Sequence, residues 1–106
     1  MTQAELFQEL KNIGLPLTYH HFTTPPALPY LIYLFSYSND LIADNQNYQE
    51  ISNFQIELYS NKKDLASEKL VEDKFKALRM PYSKLETWID TENLYQIIYE
   101  IQIIGG

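Results

Sequence analysis

The histidines stand side by side, His20-His21, and are the only imidazoles in the chain. Imidazole is the commonest metal ligand and proton shuttle, so this pair comes first among residues able to do chemistry. Read as part of a strand from Leu17 to Phe22, the two side chains point to opposite faces and cannot share one metal ion without distortion. A second group, Asp40, Asp44, Asn45, Asn47 and Glu50, is rich in oxygen ligands. It lacks the alternate-position spacing and central glycine of a calcium loop, and Asx residues in a turn account for it. There is no G-x-S-x-G elbow, no H-E-x-x-H pair and no glycine-rich phosphate loop; the chain has three glycines in all. With no cysteine, thiolate nucleophiles, thiolate metal sites and disulfides are excluded. Gly105-Gly106 follows an apolar strand directly and reads as a chain end, not the flexible arm of a conjugated modifier. The expectation is a protein that is not an enzyme, with no cofactor and no metal.

The elements that would position any site are legible from periodicity. Leu6, Phe7 and Leu10 mark a short amphipathic helix over residues 3 to 12, closed by Gly14 and Pro16. Pro25, Pro26 and Pro29 hold the chain extended before a strand from Tyr30 to Ser38. A polar stretch, Asn39 to Asn47, separates it from a third strand at Tyr48 to Tyr59, and the two form a long hairpin. Asp64 is the N-cap of a second helix reaching Arg79. Lys74 falls inside that helix's apolar arc, which predicts a packed stem with the ammonium reaching an edge. Strands at 82–89 and 94–104 follow, with Tyr95, Ile97, Tyr99, Ile101 and Ile103 on one face of the last. The order α-β-β-β-α-β-β predicts one α+β domain over residues 1–106: two helices on a mainly antiparallel sheet of about five strands.

Charge narrows the partners. The 106-residue chain carries a formal net charge of −6, which argues against a phosphate-tracking or sequence-specific nucleic-acid binder. No stretch suits a membrane span, because the longest uncharged run holds four prolines. Six of the eight basic residues (Lys62, Lys63, Lys69, Lys74, Lys76, Arg79) lie between positions 62 and 79, so one surface of the molecule is complementary to another. Nine tyrosines and one tryptophan serve a small sheet, and aromatics such as Tyr33, Tyr37, Tyr59 and Trp88 also suit an interface.

The strings Leu17-Thr18-Tyr19-His20-His21-Phe22, Pro25-Pro26-Ala27-Leu28-Pro29-Tyr30, Ser36-Tyr37-Ser38-Asn39-Asp40, Gln55-Ile56-Glu57-Leu58-Tyr59 and Tyr95-Gln96-Ile97-Ile98-Tyr99-Glu100-Ile101 resemble small structural proteins of tailed phages and prophages of low-GC Gram-positive bacteria. These belong to the head-tail joining, tail-completion and tail-terminator group, whose fold has a similar element order. The resemblance implies a subunit of a homo-oligomeric ring, six-fold in the simplest case. That ring would sit in the virion where the tail tube meets the head and touch connector and tail-tube proteins. It would assemble in the host cytoplasm. For such a ring the candidate interface residues are Tyr37, Asp40 and Asp44 on the hairpin, with Lys62, Lys63 and Lys69 at the start of the basic helix. The alternative expectation is a small acidic binding module, an adaptor or inhibitor acting as monomer or dimer.

Overall fold

The computed structural model describes residues 1–105; of the Gly105-Gly106 end, Gly106 lies outside the described residues. Helix α1 (Gln3–Lys11) begins in a capping box: Thr2 Oγ1 accepts the Glu5 N–H at 3.1 Å and Glu5 Oε1 accepts the Thr2 N–H at 3.0 Å. Strand β1 (Leu17–Tyr19) follows, then β2 (Tyr30–Ser38), β3 (Leu41–Ala43), β4 (Gln46–Gln49), β5 (Ile51–Ser60), α2 (Leu65–Ala77), β6 (Ser83–Ile89) and β7 (Leu94–Ile104). The fold is α+β. Its main sheet has the order β1-β2-β5-β7-β6, antiparallel except for β1 beside β2.

Alternation along the strands decides which face is buried. Leu31 and Tyr33 of β2, Phe54, Ile56 and Leu58 of β5, and Ile97, Tyr99, Ile101 and Ile103 of β7 form one core with Leu6 and Leu10 of α1 and Val71 and Phe75 of α2. Both helices therefore lie on the same face. Each fully buried Val, Leu or Phe here contributes about 1.5–3 kcal/mol relative to exposure. Lys74 sits where the helical arc predicts: its Nζ reaches Glu9 Oε1 of α1 at 3.3 Å. Asp64 caps α2 as expected, its Oδ1 accepting the Ser67 N–H at 3.1 Å.

Two sequence expectations are corrected. The first strand stops at Tyr19, not Phe22, because His20 takes φ +69 and turns the chain out of the sheet. The third strand starts at Ile51, not Tyr48: Tyr48 and Gln49 belong to β4, which pairs with β3 from inside the polar stretch in a separate two-stranded sheet at the end of the long β2-β5 pair. Asp44 and Asn45 both have positive φ (53° and 60°), the two-residue hairpin turn that these residue types favour. The Leu28–Pro29 peptide bond is cis. At the chain end, the Gly105 N–H donates to the Glu50 carbonyl at 2.8 Å, which pins it to the base of the small sheet.

Candidate functional site

The β3-β4 hairpin is an arm. Its strands pair only with each other, and Leu41 (56% exposed), Ile42 (67%) and Tyr48 (74%) present apolar side chains to solvent. The arm is fixed at its base. Asp40 Oδ1 accepts the Ile51 N–H at 2.9 Å and Oδ2 accepts the Asn47 amide at 2.8 Å. Behind it, buried Asn53 donates through Nδ2 to Asn39 Oδ1 at 2.7 Å and to the Tyr37 carbonyl at 3.1 Å. Of the three hairpin candidates, Asp40 thus has a structural occupation, Asp44 sits exposed at the tip, and Tyr37, half exposed, stands at the base. Tyr37, Asn53, Ser83, Glu100, Gln102 and Ile104 line a shallow groove of about 450 Å³ there.

The lysine candidates lie elsewhere. β5 has ten residues and so spans roughly 30 Å; the arm leaves one end of it, and Lys62 and Lys63 follow the other. The structure does not bring the two groups together. It places them at opposite poles of a body 49 Å long. Lys62 makes no ion pair among the described residues, whereas Lys63 and Lys69 are engaged. Lys69 Nζ meets Asp73 one turn on at 2.8 Å.

Lys63 belongs to a charged network between α2 and β6 that sequence reasoning missed. Glu68, 3% exposed, lies 2.8 Å from Lys63 Nζ and 2.6 Å from Lys84 Nζ. Lys84 also meets Glu72 at 2.8 Å, and Lys63 meets Glu86 at 2.5 Å. Tyr99 donates to Glu72 Oε2 at 2.7 Å and Tyr82 to Glu72 Oε1 at 3.1 Å. Burial by itself would raise both carboxyls, but Lys63 and Lys84 at Glu68, and the hydrogen bonds from Lys84, Tyr99 and Tyr82 at Glu72, outweigh it and hold both below their ordinary value. Hydrogen bonds to Glu68 and Glu72 raise Lys84, while burial and the Glu72 bond raise the Tyr99 phenol. The signal was present in part: Glu68 and Glu72 are one turn apart on a helix, but their partners come from Lys63, Lys84, Tyr82 and Tyr99, which no local pattern connects.

On the opposite sheet edge the histidines do what strand geometry forbade. His20 donates its N–H to the Tyr33 carbonyl at 2.9 Å, and His21 donates to the Tyr19 carbonyl at 2.8 Å. The bond from residue 21 back to residue 19 across a positive φ is a γ-turn, a rare and strained conformation for a residue other than glycine. It swings both rings to one side, with their Nδ1 atoms 3.1 Å apart and their planes at 88°.

No family model matches the chain, and no curated protein does. Eight solved chains match it. One of them, known only by a sequence identifier, is 16% identical with a TM-score of 0.57 and covers 96% of this chain and 94% of its own. At that identity the likeness is one of fold alone. No helix among the described residues is long and apolar enough to cross a membrane.

Proposed function

We propose that this protein is a structural subunit of a homo-oligomeric ring that joins or completes a phage tail at the head-tail interface, and that it works through protein contacts, not catalysis. The observation that carries the reading is the arm. Leu41, Ile42 and Tyr48 are more exposed than a lone folded subunit needs, while the arm's base is held by a specific set of hydrogen bonds. A rigid apolar projection fits a contact with a neighbouring subunit. The polarity of the molecule supports a head-to-tail contact: a ring requires one patch to meet a different patch on the next copy, and arm and Lys62 stand at opposite poles. The resemblance to head-tail proteins supplies the setting, with connector and tail-tube proteins as further partners and the virion as location. The chain from Lys11 to Lys62 carries acids but no cation between those two lysines, so an acidic lumen would let DNA slide without sticking.

The test is native mass across a concentration series at low and high salt, for the wild type, Lys62→Glu and a variant with Ile42→Ser and Tyr48→Ser. A ring-sized species lost in both variants is the expected result. Lys62 is the cleaner charge to reverse, since Lys63 also holds the α2-β6 network. A strict monomer at every concentration, in wild type as in variants, would remove self-assembly and favour the small acidic adaptor instead.

A further inference from the structure

We infer that His20 and His21 form a two-imidazole site for a divalent transition-metal ion of square-planar or octahedral preference, Cu(II) above all. The inference does not depend on the ring. It starts from strain: a non-glycine residue is held at φ +69, with a backbone hydrogen bond on each side of the turn, and the product of that strain is two imidazoles facing one another. Strained backbone of this kind persists where the surroundings enforce it, and it gathers at functional sites. Here β1 and β2 enforce it, since the His20 N–H continues the ladder onto Tyr33.

The short separation puts both nitrogens within reach of one ion: 3.1 Å is the hydrogen-bonded distance of the metal-free pair, and a small turn of the rings sets each about 2.1 Å from a shared metal. Among first-row divalent ions Cu(II) binds nitrogen sites most strongly, and its tetragonal geometry accepts two imidazoles in adjacent positions. Both rings are exposed, so water can occupy the remaining positions. In the metal-free pair one Nδ1 carries the hydrogen that the other accepts; with that hydrogen moved to Nε2 of the same ring, both Nδ1 lone pairs are free for the ion. No acid is needed, and among the described residues no cluster of three or more ligating side chains forms.

The experiment is a Cu(II) titration of the full chain by calorimetry, with electron paramagnetic resonance of the bound ion, on the wild type, His20→Gly, His21→Ala and the double variant. Glycine at position 20 keeps the positive φ and removes only the imidazole, so ligand loss is separated from misfolding. The double variant measures background binding by the terminal amine and surface carboxylates. The expected result is one ion per chain with two-nitrogen coupling in the wild type, falling to one in each single variant. Loss of an outer-shell partner alone weakens metal sites by about 10–100-fold, so loss of either ligand should cost at least that. Wild-type affinity no better than that of the double variant overturns the proposal, as does single-nitrogen coupling in the wild type or indifference to His21→Ala.

Discussion

The arm and the α2-β6 network treat exposed chemistry in opposite ways. In the network, Lys63 from the β5-α2 link and Lys84 of β6 meet the buried Glu68, Glu86 and Glu72 join through the same two lysines, and Tyr82 and Tyr99 complete the hydrogen bonds of Glu72. The charge there is paired within the chain itself. In the arm, polar groups tie down only the base, and the apolar side chains are left outside. A cluster of basic residues in a sequence therefore does not mark a contact surface by itself. The contact proposed above rests instead on the apolar side chains that the arm leaves outside.

Four changes would break or sharpen that contrast. The largest effect on stability is expected from Lys84→Met, which leaves Glu68 with one cation and Glu72 with none. Breaking a buried pair costs about 3–5 kcal/mol, and because Lys84 is 36% exposed and Lys63 remains, about 2–3 kcal/mol is expected from denaturant unfolding. A loss under about 0.5 kcal/mol would mean that the network is decoration. Next comes pH. Glu68 and Glu72 sit below their ordinary 4.5, so their contribution is present above that value and is lost as pH falls through the depressed folded values. Lys84 is raised above 10.5, so its contribution is full below 10.5 and is lost as pH rises through the raised value. Melting temperature should hold steady between those limits and fall on both sides, with Lys84→Met flattening both slopes.

Smaller gains are expected where positive φ falls on residues other than glycine. Arg79 at φ +54 follows α2, whose last turn is closed by the Met80 N–H on the Phe75 carbonyl at 2.8 Å. Arg79→Gly and His20→Gly should each stabilise by about 1 kcal/mol. The smallest stability change, within about 0.5 kcal/mol, is expected for Ile42→Ser with Tyr48→Ser, because those side chains are mostly exposed. If that pair of substitutions unfolds the protein, the arm belongs to the core and the contrast fails.

Much of this was legible in the sequence, for a physical reason. Strand β5 buries one face, so Phe54, Ile56 and Leu58 alternate with the less buried Gln55, Glu57 and Tyr59, and period two reports that directly; in β2 the run Tyr30 to Tyr33 is buried throughout and carries no such signal. The Asp64 cap is equally local. The histidine turn was hidden because φ at His20 is set by β1 pairing with β2, and a side chain's type does not announce a left-handed backbone. The network was hidden for a related reason. Glu68 is separated from Lys84 by sixteen positions and a reversal of chain direction, and its burial became visible only once α2 lay on the sheet. Of the candidate residues, Asp40, Lys63 and Lys69 have internal partners, while among the described residues Asp44 and Lys62 make no ion pair; such partners come from distant parts of the chain and leave no local pattern.

The stretch between Lys11 and Lys62 that contains the arm has no site at which trypsin cuts. Digestion with trypsin would report the arm as resistant whether it is free or covered. A protease that cuts after aromatic residues meets Tyr48 at 74% exposure. It should nick the free chain there first, and protection of that one bond at high protein concentration would report that the arm is covered, as the proposed ring requires.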